Sequence, residues 1–327
     1  MQLTKKGLYC SLGNFHIDPW GAVDTAVITH AHSDHAHGGM GRYLSTKDAL
    51  PILKKRLGNA AIESYPYGEK FKMGEVLVSF HPAGHILGSA QVRIEYQDEV
   101  WVFTGDFKRE ADPTCKNFEV VPCNVFISEA TFSLPVYRWQ PFEVEIQEIY
   151  NWWMKNKALG LNSVLCCYAL GKAQRIIAGL RKLTDEPIWV HGSIDEINKC
   201  YEEAGLSWSN LSKVPLEKED KLRSSFILCP PSAVGSPWGR RLTPKKVAFA
   251  SGWMRLRGNR RRKGYERGFA ISDHADWDGL IQTVKDTGCK KVLFTHGQTE
   301  AIVRYIKEHL HLKAFDLKLP YELEEEF

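Results

Sequence analysis

His30-Ala31-His32-Ser33-Asp34-His35 places three imidazoles and a carboxylate within six residues, directly after the apolar run 25–29. Neutral imidazole nitrogens and carboxylate oxygens are ligands that bind Zn²⁺ at about 2.0 to 2.2 Å. A loop that leaves a buried strand can direct neighbouring side chains to different sides of a pair of cations. The alternative is an exposed histidine-rich loop that binds no metal, a description that fits His37. The stretch therefore predicts a site for two metal ions.

Three further segments place a ligand residue at the end of an apolar run. The first two are Ala83-Gly84-His85 and Thr104-Gly105-Asp106, and the third, far along the chain, is Thr295-His296-Gly297. Ligands displayed at the ends of successive strands converge on one edge of a sheet, where an open coordination position faces the substrate. The pattern favours one shared metal centre over a chance accumulation of histidines.

The order of these motifs resembles the metallo-β-lactamase fold, in which an aspartate (here Asp18) precedes the HxHxDH string and His85 and Asp106 follow it. Later segments are similar to the additional motifs of the β-CASP nucleases, and these are Ser128-Glu129-Ala130-Thr131, Ser272-Asp273-His274-Ala275-Asp276 and Thr295-His296-Gly297. Within that group the chain most resembles the bacterial ligase-associated DNA exonucleases, to which the stretch 251–262 also points. The resemblance covers nearly the whole chain, from Asp18 to His296.

This resemblance implies an α/β fold, a metallo-β-lactamase αβ/βα sandwich with an inserted β-CASP cap domain. The residue pattern agrees with an insertion, because short strands with turn signals dominate up to about residue 131 and strand–helix alternation follows. Such alternation, with a helix at 143–157, a strand at 162–170 and a helix from 172, is typical of a parallel sheet. We predict that 1–135 and 271–327 form the metallo-β-lactamase domain and 136–270 the cap, with the substrate between them.

The resemblance also implies the metal ligands. One metal ion would be bound by His30, His32 and His85 and the other by Asp34, His35 and His296, with Asp106 bridging both. Zn²⁺ is the expected metal and Mn²⁺ the alternative. A hydroxide activated by both ions would attack the phosphodiester in line.

The same resemblance implies catalytic roles for four residues, which are Asp34, His274, Glu129 and Asp18. His274 would contact the scissile phosphate or assist the departing oxygen, since imidazole serves as either phosphate ligand or proton donor near neutral pH. Glu129 would orient His274. Asp18 would accept a hydrogen bond from a ligand imidazole and so fix the ring. Each of these residues could instead be structural.

Positive charge is concentrated in one segment. The chain has a net charge of +4, and residues 255–267 contain one acidic residue, Glu266, and these basic residues: Arg255, Arg257, Arg260, Arg261, Arg262, Lys263 and Arg267. A basic run is often a solvated loop, but this one lies just before His274 in the sequence. Guanidinium groups match phosphate oxygens, and phosphate contacts supply much of nucleic-acid affinity. We therefore predict that Arg255, Arg257 and Arg260–Arg262 bind a nucleic-acid backbone.

Two positions in the predicted cap are weaker candidates for phosphate binding. Lys172 begins a predicted helix, but a P-loop would require glycine at Cys166 and Ser or Thr at Ala173, so ATP binding is not predicted. A helix N-terminus still attracts phosphate. Lys172 either helps to bind phosphate there or is only the first residue of a helix. Ser232, in a Pro-Pro-Ser turn, either contacts phosphate or lies in an ordinary loop.

These observations predict a metal-dependent DNA exonuclease acting in DNA repair, with DNA as its substrate. The family implies an ATP-dependent DNA ligase and a helicase as partners. An RNase J-like or 3′-end-processing ribonuclease is the alternative, because a histidine at position 296 is more typical of RNA-processing members. A glyoxalase II-like thioesterase would not account for the basic segment, and a noncatalytic binding protein would be expected to have lost ligands.

The chain has no apolar run long enough to span a membrane and no apolar core of a secretory signal near its start. Its cysteines are scattered and form no CxxC pair, which argues against a disulfide framework. We therefore expect a cytoplasmic protein.

Overall fold

The computed structural model describes residues 1–215, 222–256 and 265–317. Within these ranges the chain divides into a first unit, residues 1–137 with 274–317, and a second unit, residues 138–273. Strands and helices occur in both units, so the predicted mixed α/β class is confirmed. The assignment of segments 1–135, 136–270 and 271–327 to named domains stays a prediction.

Two mixed sheets form the first unit. The first sheet has the spatial order β1 (Gln2–Thr4), β2 (Gly7–Cys10), β3 (Phe15–Ile17), β4 (Thr25–Val27), β5 (Arg42–Thr46) and β6 (Ile62–Tyr65). The second sheet has the spatial order β19 (Lys313–Asp316), β18 (Lys291–Thr295), β11 (Val125–Glu129), β10 (Glu99–Phe103), β9 (Ala90–Tyr96), β8 (Val76–Pro82) and β7 (Phe71–Met73). Strands β10, β11, β18 and β19 are mutually parallel, and β8 runs in the same direction because β9 pairs antiparallel with both β8 and β10.

The interior strand β11 shows how the layers of the first unit pack. Its sequence VFISE is buried along its whole length, as expected of a strand covered on both faces. Ile127 packs in a core with residues of both sheets, including Val27 and Phe80. Phe126 points to the opposite face, where the core contains side chains of helices α7 (Trp277–Thr287) and α8 (Glu300–His309). A further helix, α1 (Leu50–Leu57), connects β5 and β6.

The second unit contains a six-stranded sheet in which every pairing is parallel. Its spatial order is β14 (Leu211–Lys213), β13 (Ile188–Val190), β15 (Phe226–Cys229), β12 (Asn162–Cys166), β16 (Lys245–Ala250) and β17 (Arg267–Phe269). Its helices are α2 (Phe142–Ala158), α3 (Lys172–Arg181), α4 (Gly192–Glu203), α5 (Pro231–Val234) and α6 (Pro237–Arg240), and a 3₁₀ turn spans Gly252–Arg255. The strand–helix alternation predicted from the sequence is therefore present.

The helix α3 starts at the predicted residue, Lys172, but the strand before it is shorter than predicted. The strand ends at Cys166 rather than continuing to Leu170, and Gly171, with a positive φ of 86°, turns the chain into the helix. None of the helices in the described ranges combines the length and apolar character needed to cross a bilayer.

Candidate metal centre

The candidate ligands lie at strand ends in the first unit. His85 follows β8, Asp106 follows β10, and His296 follows β18 directly. Because these strands run in the same direction, their carboxyl ends meet at one edge of the second sheet. The HxHxDH loop follows β4 of the first sheet, and Thr29, just before it, accepts a hydrogen bond from Ala90 N at 2.8 Å.

Three imidazoles converge on a common point beside Asp106. Nε2 of His30 and Nε2 of His85 each lie 3.1 Å from Nδ1 of His32. Oδ2 of Asp106 is 3.5 Å from Nε2 of His30 and 3.6 Å from Nε2 of His85. The edges of a tetrahedron of nitrogen ligands around zinc are about 3.3 Å long, given bonds of about 2.0 to 2.1 Å. The four residues therefore have the donor types and the spacing that a divalent cation requires.

A second group of donors lies on the other side of Asp106. Its second oxygen, Oδ1, is 3.7 Å from Nε2 of His35, and Oδ2 of Asp34 is 3.8 Å from the same nitrogen. The ring of His296 stacks on that of His35 with centroids 5.4 Å apart. The two oxygens of Asp106 thus face different imidazole groups, which is the arrangement of a bridging carboxylate.

The electrostatics of the centre favour cation binding. Burial and the neighbouring rings of His35 and His85 hold the pKa of His30 well below its usual range. Burial and His35 likewise lower the pKa of His296 to about 3. Neutral imidazole is the form that binds metal ions. Burial raises the pKa of Asp106, because the carboxylate is withdrawn from water.

His35 is the exception among these rings. Although its burial opposes a charge, Asp106 and Asp18 raise the pKa of His35 to about 10. Asp18 and Asp106 lie on opposite nitrogens of this ring and favour positive charge there, and a divalent cation beside Asp106 would supply it in place of the ring proton. The donor set as a whole fits such an ion.

Asp18 holds the second group in place. Its Oδ2 accepts a hydrogen bond from Nδ1 of His35 at 2.8 Å, which leaves Nε2 to face Asp106. The same carboxylate accepts hydrogen bonds from the backbone N of Thr29 at 2.8 Å and from its Oγ1 at 2.5 Å. This geometry matches the supporting contact predicted for Asp18, whose role stays a prediction.

Thr29 is a supporting residue that we did not identify from the sequence. Besides Asp18, the Oγ1 of Thr29 contacts Nδ1 of His30 at 3.1 Å. One hydroxyl therefore contacts a donor of the first group and the carboxylate that holds His35 in the second. The available signal was its position, since Thr29 is the polar residue that ends the buried run and directly precedes His30.

Gly105 packs against Thr29 and allows a test of this support. Gly105 has a positive φ of 54°, and a Cβ there would lie 2.6 Å from Oγ1 of Thr29. Gly58 has a similar φ of 62° with open space around it. Alanine at either position strains the backbone, but only Gly105→Ala also overpacks the core, which typically costs about 1–3 kcal/mol. We expect urea unfolding to show that additional loss for Gly105→Ala, together with weaker metal retention on dialysis. Equal losses for Gly105→Ala and Gly58→Ala would contradict the packing role.

His274 lies next to this centre and is oriented by Glu129. Nδ1 of His274 is 2.8 Å from Oε2 of Glu129 and 4.0 Å from Oδ2 of Asp106. The Glu129 carboxylate is 2% exposed and also accepts hydrogen bonds from Phe107 N and from Oγ1 of Thr131. With Nδ1 engaged, Nε2 is the nitrogen of His274 that is directed away from Glu129. Thr131, in the same Ser-Glu-Ala-Thr motif, was also missed as a supporting residue.

Comparison with known proteins identifies relatives of the chain, although no protein-family model matches it. A probable DNA ligase from Opitutus terrae is 27% identical over 305 residues, covering 92% of this chain and 30% of that protein. An RNase J-like protein from Methanocaldococcus jannaschii is 26% identical, covering 58% of this chain and 52% of the relative. Endoribonuclease YSH1 from Eremothecium gossypii is 26% identical, covering 48% and 20% respectively. These relatives support a β-CASP metallo-β-lactamase nuclease.

The chain spans between 20% and 52% of the length of those three relatives. Its fold is also similar to the crystal structure of a protein of unknown function from Enterococcus faecalis. That comparison has a TM-score of 0.62 at 12% sequence identity and covers 90% of this chain and 79% of the other. At such low identity the likeness concerns the fold alone.

The remaining predicted residues belong to the sequence range of the second unit. Lys172 is buried at the start of α3, where its Nζ pairs with Oδ1 of Asp273 at 2.9 Å. Ser232 and Arg255 are exposed, in α5 and at the end of the 3₁₀ turn respectively. Arg257, Arg260, Arg261 and Arg262 lie outside the described residues. Phosphate binding by any of these residues stays a prediction.

Proposed function

We propose that this chain is a metal-dependent nuclease that hydrolyses phosphodiester bonds of DNA from a strand end. The observation that carries the proposal is the convergence of two imidazole groups on the two oxygens of Asp106, next to the Glu129–His274 pair. The first unit, with two sheets around a shared core and helices beyond one of them, is consistent with a metallo-β-lactamase sandwich. The second unit would be its β-CASP cap.

The residues of the centre divide into two candidate ligand sets around Asp106. One divalent cation would be held by His30, His32, His85 and Asp106, and the other by Asp34, His35, Asp106 and His296. Zinc is the metal best suited to imidazole donors at these spacings, with manganese as the alternative. Such ions, when bound, supply the Lewis acidity that makes water nucleophilic near neutral pH and neutralises charge on a phosphoryl group.

The chain's own residues would orient the reacting groups. Asp18 holds His35 through Nδ1, and Thr29 holds Asp18. Glu129 accepts a hydrogen bond from Nδ1 of His274, so the carboxylate stabilises the protonated ring. His274 would then present its Nε2 proton to a phosphate oxygen or to the departing oxygen. No covalent bond between the protein and the substrate is required.

DNA is favoured over RNA by the extent of the sequence matches. The match to the probable DNA ligase covers 92% of this chain, whereas the match to the RNase J-like protein covers 58%. We infer from the ligase-named relative a role in DNA repair alongside an ATP-dependent ligase, and a helicase partner and a cytoplasmic location stay predictions from the sequence. A ribonuclease is the second candidate, because the RNase J-like protein and endoribonuclease YSH1 are among the relatives.

The test uses matched DNA and RNA substrates, each labelled at the 5′ or the 3′ end and each single-stranded or duplex. Purified protein is incubated with Zn²⁺ or Mn²⁺, with His32→Ala and a chelator-treated sample as controls. We expect mononucleotides to be released from one DNA end by the wild-type protein, and neither control to release them. Cleavage of RNA alone would show that the protein is a ribonuclease rather than a DNA exonuclease. Hydrolysis by His32→Ala would contradict the assigned metal centre.

A further inference from the structure

Two exposed aromatic side chains lie at one edge of the parallel sheet of the second unit. Tyr168 is 53% exposed and follows β12, and Trp253 is 41% exposed and follows β16. Strands β12 and β16 are parallel neighbours, with Cys166 opposite Phe249, so both residues emerge from the carboxyl edge of the sheet. The other exposed large apolar side chains in the described part of this unit, Val144, Leu159 and Leu183, are aliphatic.

A buried ammonium group, that of Lys172, lies against one face of the Tyr168 ring. Nζ of Lys172 lies 4.9 Å from the centroid of the Tyr168 ring, within the range of a cation–π contact. The same Nζ is 2.9 Å from Oδ1 of Asp273, and both of these side chains are 4% exposed. A buried ion pair is weak evidence of a stabilising role, because desolvation offsets much of the attraction. Here the pair fixes the position of an ammonium group against one side of an exposed aromatic ring.

We propose that Tyr168 is a stacking platform for an unpaired nucleobase, positioned by the Asp273–Lys172 ion pair, and that Trp253 provides a second aromatic contact. The inference rests on the proposed nuclease function and deepens it by naming a single-stranded end as the bound form of the substrate. An aromatic ring stacks on any base whose face is exposed, whereas bases within a duplex already stack on their neighbours.

The charge near Trp253 is complementary to such a strand. Arg255 is exposed and ends the same 3₁₀ turn that contains Trp253. The turn itself is anchored, because Met254 is buried and Oγ of Ser251 accepts a hydrogen bond from the backbone N of Trp253. An aromatic residue flanked by a guanidinium group suits a base and its adjoining phosphate, the pairing that single-strand binding surfaces use.

The role assigned here to Lys172 differs from direct phosphate binding. The ammonium is directed to the Asp273 carboxylate and to the Tyr168 ring. We therefore infer that Lys172 is a positioning residue that acts through Tyr168.

Binding of a single strand tests the platform directly. The probe is a phosphorothioate DNA oligonucleotide that contains 2-aminopurine, whose fluorescence is quenched when it stacks, added to metal-loaded protein. We expect Tyr168→Leu to weaken single-strand binding by about 5- to 150-fold and to reduce the quenching, since stacking contributes about 1–3 kcal/mol per base. Tyr168→Phe retains the ring and should bind close to wild type. Trp253→Leu should also weaken binding.

Phe315→Leu is the matched control, because Phe315 is 44% exposed and has Lys291 and Lys307 near its ring, on strand β19 of the first unit. Equal affinities for Tyr168→Leu and Phe315→Leu would reject the platform, as would equal weakening of single-stranded and duplex binding by Tyr168→Leu. Thermal unfolding of each variant identifies any that fails to fold. If the Lys172 variants fail to fold, the comparison of Tyr168→Leu with Tyr168→Phe still tests the platform.

A double-mutant cycle tests the positioning role of Lys172. Lys172→Met should weaken single-strand binding in the wild-type background and have no further effect in the Tyr168→Leu background. The same loss in both backgrounds, with a reduced dependence of affinity on salt, would instead indicate direct phosphate binding.

The nuclease function and the aromatic platform can be rejected by different results. Wild-type protein that neither binds nor hydrolyses DNA or RNA would reject the proposed function. Wild-type protein that hydrolyses DNA while Tyr168→Leu binds single strands normally would reject the platform alone.

Discussion

Replacing His85 by alanine is expected to lower phosphodiester hydrolysis by about 1000-fold or more and to remove bound metal from the protein. His85 contributes one of the three imidazole nitrogens that converge beside Asp106, with its Nε2 3.1 Å from His32 and 3.6 Å from Asp106. A metal ion contributes several kcal/mol to transition-state stabilisation, and about 4 kcal/mol corresponds to a factor of about 1000 in rate. Metal analysis by mass spectrometry and single-turnover assays measure the two effects.

Thermal unfolding adds a readout that does not depend on activity. His85 is buried, so its truncation lowers the Tm of the metal-free protein through lost packing, and the readout is therefore the rise in Tm that Zn²⁺ causes in each protein. Added Zn²⁺ should raise the Tm of the wild type by mass action and raise that of His85→Ala much less. The matched control is His81→Ala, since His81 lies on β8 and pairs with Glu119 outside the cluster. Full metal content in His85→Ala, or its loss in His81→Ala, would contradict the ligand set.

The metal centre is more predictable from sequence than the surroundings of its ligands. His85, Asp106 and His296 each follow an apolar run that forms a strand, and strands of one direction end at one edge. Short-range pattern and sheet geometry were therefore enough to place them together. The contact between Asp18 and Thr29 could not be predicted in this way, because it depends on the register of β3 against β4 and on the positive φ of Asp18.

The helices show the same limit. The helix α2 extends one residue beyond the predicted 143–157 at each end. The short helix α1, Leu50–Leu57, was not anticipated in a region dominated by strand and turn signals. An eight-residue helix with only two buried residues, Ile52 and Leu53, has too few apolar positions to establish a period.

Lys172 illustrates a different limit. Its place at the start of α3 follows from the local sequence, but its burial does not, because Asp273 lies far along the chain. A lysine in the first turn of a helix is expected to be solvated unless a carboxylate is known to reach it. The ion pair became evident only with the fold, and it changes the role that we assign to the residue.

Replacing His274 by alanine is expected to lower kcat by about 100- to 10,000-fold, the usual contribution of a general acid or base. Metal content should stay near that of the wild type, because His274 faces Glu129 rather than the converging nitrogens, with its Nδ1 2.8 Å from Oε2 and 4.0 Å from Asp106. Single-turnover rates with saturating DNA, together with metal analysis, separate His274→Ala from the ligand variants.

The Glu129 variant decides whether the carboxylate acts through His274. Glu129→Gln keeps the shape of the side chain but removes the charge that stabilises the protonated ring, so kcat should fall less than in His274→Ala. In the His274→Ala background, Glu129→Gln should then cause little further loss of kcat. His309→Ala is the control, since His309 is exposed and stacks on Tyr305 in α8. Independent, multiplicative losses from Glu129→Gln and His274→Ala would show that Glu129 does not act by orienting His274, and loss of metal from His274→Ala would place that imidazole among the ligands.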